Sequence, residues 1–162
     1  MKLHRKKTVY NIKRVYGNLK RRLCSIKSVS DQSGWNFYPP NPTWPRLKEV
    51  LKAAFLRIGG DANLGRGILP LLRETGLTDT KIRAATLAIP GGHPYMRMPL
   101  IGAMGFRETI LKDGLMTETE FEEVMGAMEK LIVFPETYAI WFNVVQTWGR
   151  KPARINTVRS DV

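Results

Sequence analysis

The sequence is poor in cysteine and in long apolar runs, and both shortages exclude classes of protein. Cys24 is the only cysteine among 162 residues, so an internal disulfide is excluded. It has no clustered Cys or His partners, which argues against a metal site. No apolar run reaches the roughly 18 residues that a membrane-spanning helix needs, and the basic start lacks the apolar core of a secretion signal. These absences predict a cytoplasmic protein with no membrane span.

Acidic residues are absent from the first 27 positions, which hold ten of the 26 lysines and arginines. The rest of the chain is nearly neutral, so the net charge of +12 comes mainly from this N-terminal segment. We therefore predict a basic arm over residues 1–27, a body over residues 28–152 and a flexible tail over residues 153–162. Such a charge distribution indicates a basic tail and not a nucleic-acid footprint over the whole body.

The arm has apolar residues at the spacing of one helical face: Val9, Ile12, Tyr16, Leu19 and Leu23. One interpretation is a basic amphipathic helix that binds phosphate groups or anionic lipid. The other is an arm whose apolar stripe rests on the body of the protein. Nucleic acid is thus a candidate partner of residues 1–24. A small basic module that binds nucleic acid or a partner protein is the alternative function of the chain.

The body has the pattern of an α/β protein. Residues 25–31 and 82–89 have the composition of strands, and an aromatic and β-branched run from Tyr138 to Trp148 predicts the last strand. We expect a small sheet of two to four strands in which 82–89 and 138–148 are antiparallel neighbours. About four helices should cover it, over residues 46–58, 65–75, 100–112 and 118–132.

Two local features mark where these elements begin and end. Thr117 is followed three residues later by Glu120, a capping box that predicts the start of the last helix. Four prolines between Gly34 and Pro45 exclude regular structure in that segment.

Aromatic residues on two loops are the candidates for a binding site. Trp35 and Tyr38 lie in the proline-rich segment, where they can line an apolar pocket or clamp the loop to the helices beneath. His93 and Tyr95 lie in a second loop rich in glycine and proline. A general base needs an orienting carboxylate, and none is near His93 in the sequence, so an ordinary loop histidine is the competing interpretation. We predict that Trp35, Tyr38, His93 and Tyr95 bind substrate, and we assign no catalytic residue.

The body resembles the C-terminal half of class I S-adenosylmethionine (SAM) dependent methyltransferases that act on small molecules. The likeness runs from about Ser33 to Pro152. Its motifs are Gly34-Trp35 with Tyr38-Pro39, Leu64-Gly65-Arg66 with Leu69, Leu71-Leu72 and Gly76-Leu77, Gly114-Leu115 with Thr117-Glu118 and Glu120-Phe121, and Val144 to Pro152. The resemblance implies a Rossmann-like sheet whose last, antiparallel strand is inserted between the fifth and sixth. It also implies a small-molecule substrate bound near the carboxyl ends of the parallel strands.

The cofactor half of that family has no counterpart in this sequence. These enzymes bind SAM through an early strand, a glycine-rich turn and an acid that ends the next strand. Only 33 residues precede Gly34, and Gly17 is the one glycine among them. The glycines at 59–67 follow a predicted helix, not a strand, so they are interpreted as a linker. SAM is therefore implied by the resemblance, but no residue here is assigned to bind it.

The resemblance thus implies a truncated transferase segment, the part that caps the substrate, which is inactive alone. Whether the chain is an enzyme in its own right is left open. The strand over residues 25–31 would lack its outer neighbour, and an uncovered edge invites pairing with another chain. We therefore expect a homo-oligomer or a complementing chain.

Overall fold

The computed structural model of the chain describes residues 25–152, which form a mixed α/β fold. The six strands are β1 (Ser25–Asp31), β2 (Asn36–Tyr38), β3 (Thr78–Ala85), β4 (Ala88–Pro90), β5 (Tyr138–Ile140) and β6 (Asn143–Arg150). The five α-helices are α1 (Thr43–Arg57), α2 (Leu64–Glu74), α3 (Met98–Gly105), α4 (Arg107–Lys112) and α5 (Glu118–Val133). The α/β class predicted from the sequence is confirmed.

The strands form two three-stranded sheets joined end to end. In the first, β6 lies between β1 and β3 and is antiparallel to both, so β1 and β3 are parallel to each other. In the second, β5 lies between β2 and β4, again with antiparallel pairing. The predicted antiparallel pairing of 82–89 with 138–148 is confirmed, since Ala85 lies opposite Val144 and Ile89 opposite Ala139.

Helix α2 covers one face of the first sheet. Its buried residues Ile68 and Leu72 form a small core with Val145 of β6. Along β6 the side chains alternate, as the two-residue period of a strand requires. Val145 and Thr147 are buried, whereas Val144, Gln146 and Trp148 are half-buried. The odd-numbered residues therefore face α2, and the even-numbered ones form the opposite face of this sheet.

A larger core lies between the second sheet and helices α1, α3, α4 and α5. Phe37, Ile89 and Ala139 supply the buried side of the sheet. The helices contribute residues that are almost fully buried, among them Trp44, Leu47, Ala103, Ile110, Phe121 and Met128. Helix α5 begins as predicted, because the Thr117 hydroxyl accepts a hydrogen bond from the amide of Glu120 at 3.1 Å.

The proline-rich segment and the helix over residues 100–112 differ from their predictions. The proline-rich segment is not wholly irregular, since Asn36–Tyr38 precedes its prolines and pairs with β5. The predicted helix 100–112 is two helices, α3 and α4, that separate at Phe106, whose backbone (φ −102°, ψ 5°) is not helical. Gly105 lies directly before this break, and glycine is a poor helix former.

The predicted division into arm, body and tail can be compared with the structure only within residues 25–152. Strand β1 begins at Ser25, three residues inside the segment assigned to the basic arm. The amphipathic stripe of the arm and the predicted tail after Pro152 lie outside the described residues. Within residues 25–152, no helix has both the length and the apolar character to cross a membrane.

Candidate functional site

The candidate site lies where the two sheets join, beyond the carboxyl ends of β1 and β3. Parallel strands bring their carboxyl ends to the same edge of a sheet, which is where ligands bind in open α/β folds. Trp35 follows β1 after one short 3₁₀ turn, and Leu87 follows β3. Trp141 lies between β5 and β6, and its backbone amide donates to the Leu87 carbonyl at 2.8 Å. Three segments that are distant in sequence therefore meet at this point.

Four rings form a continuous series here, which we call the aromatic chain: Trp35, Trp141, Tyr95 and His93. Ring centroids are 4.8 Å apart between Trp35 and Trp141, 6.4 Å between Trp141 and Tyr95, and 5.2 Å between Tyr95 and His93. Trp35 is 4% exposed and Trp141 is 5% exposed, whereas Tyr95 is 57% exposed. The aromatic chain thus runs from the core to the surface, and Tyr95 and His93 are its accessible end.

The buried end of the aromatic chain is held by the loop that carries Trp35. The Trp35 carbonyl accepts hydrogen bonds from the Trp44 indole at 3.1 Å and from the Lys48 ammonium at 2.7 Å. Lys48 also donates to the Ser33 carbonyl at 2.9 Å, and partial burial lowers the pKa of Lys48. Trp35 therefore clamps its loop to α1, although its own buried indole Nε1 has no acceptor among the described residues.

An ion pair between the buried carboxylate of Asp31 and the exposed guanidinium of Arg66 fixes the point where the chain leaves β1. The Asp31 carboxylate accepts two hydrogen bonds of 2.8 Å from the guanidinium of Arg66, in a fork. It also accepts from the backbone amides of Arg66 and Ser33, each at 3.2 Å. These contacts tie the end of β1 to the first turn of α2.

The same contacts set the charge state of Asp31. The Arg66 hydrogen bonds hold the pKa of the Asp31 carboxyl far below its usual range, against the opposing effect of burial, and Ser33 contributes in the same direction. The carboxylate is thus charged, and its role is to hold β1 and α2 together. It anchors the candidate site, but its oxygens are already occupied by donors.

Tyr38, the fourth residue predicted to bind substrate, lies elsewhere. Its ring stacks on Tyr138 with centroids 5.0 Å apart. Both side chains are exposed, while the neighbouring Phe37 and Ala139 face the core. Tyr38 therefore lies on the outer face of the second sheet and has no ring contact with the aromatic chain.

The imidazole of His93 takes part in a local turn and is not oriented by a carboxylate, as a general base would be. Its Nδ1 accepts a hydrogen bond from the Tyr95 amide at 3.2 Å and so closes the short 3₁₀ turn Pro94–Arg97. No carboxylate within residues 25–152 hydrogen-bonds to the imidazole. No group of three or more metal-ligating side chains was found in the same part of the chain.

Sequence reasoning missed Trp141, which links the two loops. The run from Tyr138 to Trp148 suggested one uninterrupted strand. In the structure it is two strands, and Trp141 and Phe142 lie in the break between them, where both rings contact Trp35. The two consecutive large aromatics in an otherwise alternating strand were the available sign of this break.

Comparisons with known proteins add no identity to this geometry. Neither a scan against protein families nor a search of curated proteins gives a match to the chain.

Proposed function

We propose that this chain is the substrate-cap portion of a class I SAM-dependent methyltransferase acting on small molecules, and that it does not catalyse methyl transfer alone. In this proposal its described residues supply part of the wall that encloses a methyl acceptor. The cofactor half belongs to a complementing chain. The chain itself functions inside a cell, in the cytoplasm.

The observation that carries the proposal is the strand order of the first sheet. The last strand, β6, is antiparallel and lies between two strands that are parallel to each other. Helix α2 lies between β1 and β3 in the sequence and packs on the same sheet. The resemblance predicts this insertion of a final antiparallel strand, which the order of elements along the chain does not by itself require.

The aromatic chain supports a binding role at the expected place. Rings that are rigidly packed at one end and exposed at the other can stack on a planar ligand at little entropic cost. Tyr95 and His93 supply the accessible rings, and the Tyr95 ring stacks on the buried ring of Trp141. In the proposed enzyme these side chains orient the acceptor and exclude water, while the methyl group comes from SAM.

The test is a comparison of two exposed tyrosines that differ in their neighbours. Tyr95 and Tyr38 are 57% and 54% exposed, but only Tyr95 belongs to the aromatic chain. We expect Tyr95→Ala to weaken binding of planar methyl acceptors, such as substituted phenols and aromatic carboxylates, in ligand-detected NMR. Tyr38→Ala should leave binding unchanged. Equal effects of the two variants, or no binding by the unaltered chain, would exclude the aromatic chain as the binding site for the methyl acceptor.

The cofactor part of the proposal is tested separately by calorimetric titration with SAM. We expect no micromolar binding, because no strand within residues 25–152 leads through a glycine-rich turn directly into an α-helix, the arrangement that lets the backbone approach the cofactor. Micromolar binding by the 162-residue chain would contradict the proposed division of labour, whatever the tyrosine variants show.

A second candidate function is nucleic-acid binding through residues 1–24. The observation that favours it is the segregation of charge, since the first 27 residues hold ten cationic side chains and no acid. A basic arm of this kind binds phosphate backbones through counterion release and without sequence preference.

A further inference from the structure

The first sheet has one covered face and one open face. Among the described residues, α2 is the only helix with substantial packing on β1, β3 and β6, and it lies on the side of Val145 and Thr147. The open face carries Val144, Gln146 and Trp148 on the central strand. Val144 and Trp148 are only half-buried although they lie on the central strand, so this face can accept another packed layer.

On the open face, both ends of the Gln146 side-chain amide are hydrogen-bonded. Gln146 donates from its amide nitrogen to the Ser28 hydroxyl at 3.1 Å and accepts from Arg83 Nε at 2.6 Å. These bonds run across all three strands, so the side-chain amide of Gln146 is satisfied within the sheet. Burying it beneath an apolar surface would therefore leave no amide group without a partner.

The chain itself has a segment of the right length in the right place. Residues 1–24 directly precede Ser25, the first residue of β1. Strand β1 is an edge strand of this sheet. A helix over residues 9–23 would be about 22 Å long, and an eight-residue strand such as β6 spans about 26 Å. The apolar stripe of the arm is Val9, Ile12, Tyr16, Leu19 and Leu23. Lysines and arginines occupy many of the intervening positions.

We propose that residues 9–23 of the same chain pack on the open face of the first sheet, over Val144 and Trp148, with the stripe toward the sheet. The basic side chains then point to solvent. In this arrangement the arm completes a second layer opposite α2, and its phosphate-binding capacity is retained on the outer side. The proposal does not depend on the methyltransferase assignment.

Trp148 is a built-in reporter for this contact. The other three tryptophans of the sequence, Trp35, Trp44 and Trp141, are at most 5% exposed. Of the four tryptophans, only Trp148 is half-buried and not buried. It therefore supplies the fluorescence that neutral acrylamide can quench. Quenching of the full-length chain therefore measures whether the open face is covered.

The experiment compares two neighbouring substitutions that add the same charge. Leu19→Lys interrupts the stripe, and Asn18→Lys lies off it. We expect Leu19→Lys to raise the acrylamide quenching constant and Asn18→Lys to leave it unchanged. Circular dichroism establishes that both variants remain folded.

Two results would overturn the proposal. Equal quenching in the unaltered chain and both variants would show that the arm does not cover Trp148. Protection that disappears on dilution, together with a dimer in sedimentation, would assign the open face to a second copy of the chain.

Discussion

Replacing Asp31 by Asn tests whether the fork with Arg66 is a main anchor of the candidate site. The substitution keeps the size of the side chain but removes its charge, and the new amide group presents N–H donors to a guanidinium that can only donate. The Asp31 side chain is 4% exposed, so water does not replace the lost partner, whereas Arg66 is 58% exposed and can turn to solvent. Breaking a buried pair costs about 3–5 kcal/mol. With one partner half-exposed we expect a loss of about 2 kcal/mol, close to the value of a hydrogen bond to a charged group.

The assay is urea unfolding at pH 7, followed by circular dichroism, with Glu120→Gln as the matched control. Glu120 makes an ion pair of similar length, 2.6 Å to Arg46, but its side chain is 36% exposed and that of Arg46 is 46% exposed. Exposed pairs contribute little to stability, so Glu120→Gln should leave the unfolding midpoint almost unchanged. If the two carboxylate-to-amide changes have equal effects, the argument from burial fails.

The pH dependence of the same difference provides an independent check. The pKa of Asp31 is lower in the folded state than in the unfolded chain, so its ionisation stabilises the fold at any pH above the unfolded value of about 4. This contribution is lost as the pH falls from there toward the folded pKa. The stability gap between the unaltered chain and Asp31→Asn should therefore be constant from pH 5 to 8 and narrow below about pH 4. A gap that does not change with acidification would show that Asp31 acts through packing and not through its charge.

Two further predictions follow from a pair of glycines in α2 and from the basic arm. A Cβ at Gly65 would lie 2.8 Å from Val145 Cγ2 and 2.9 Å from Asp31 Cβ, so Gly65→Ala should destabilise the fold by about 1–3 kcal/mol in urea unfolding. Gly67→Ala in the same helix meets nothing within 4 Å and should stabilise it by up to about 1 kcal/mol; the reverse order of stability would refute the packing of α2 on β6. If residues 1–24 bind single-stranded nucleic acid, affinity should fall steeply between low and physiological salt, and deletion of those residues should abolish it. Binding that is insensitive to salt, or that survives the deletion, rules out the arm as the interface.

The sequence predicted the elements whose own residues determine them. The run from Tyr138 to Trp148 has a β-branched and aromatic composition, which predicts extended backbone, and β5 and most of β6 lie within it. Helix α5 has both a capping box at Thr117 and an apolar stripe, and its start was predicted within one residue. In both cases the local preference and the tertiary environment agree.

The missed features depend on contacts between distant segments. Asn36–Tyr38 is a strand because β5 lies beside it, about a hundred positions later in the chain. The break at Trp141 exists because Trp35 and Phe142 pack around that ring. Likewise, three of the four residues predicted to bind substrate fall in the aromatic chain, but Tyr38 is separated from them. The side to which a loop residue points is set by strand pairing, which composition does not reveal.

The position of β6 in the middle of the first sheet also dictates an order of events in folding. Ser28 and Gln146 are hydrogen-bonded although they are 118 positions apart. Both outer strands are made early during synthesis, yet neither has a partner until the central one appears, because β1 and β3 do not touch each other. The helices of the larger core can associate before then, but the first sheet cannot nucleate gradually from its N-terminal side. Loop closure over such distances makes folding slow, so nascent chains that stop before residue 143 would expose two unpaired strands to chaperones and to one another.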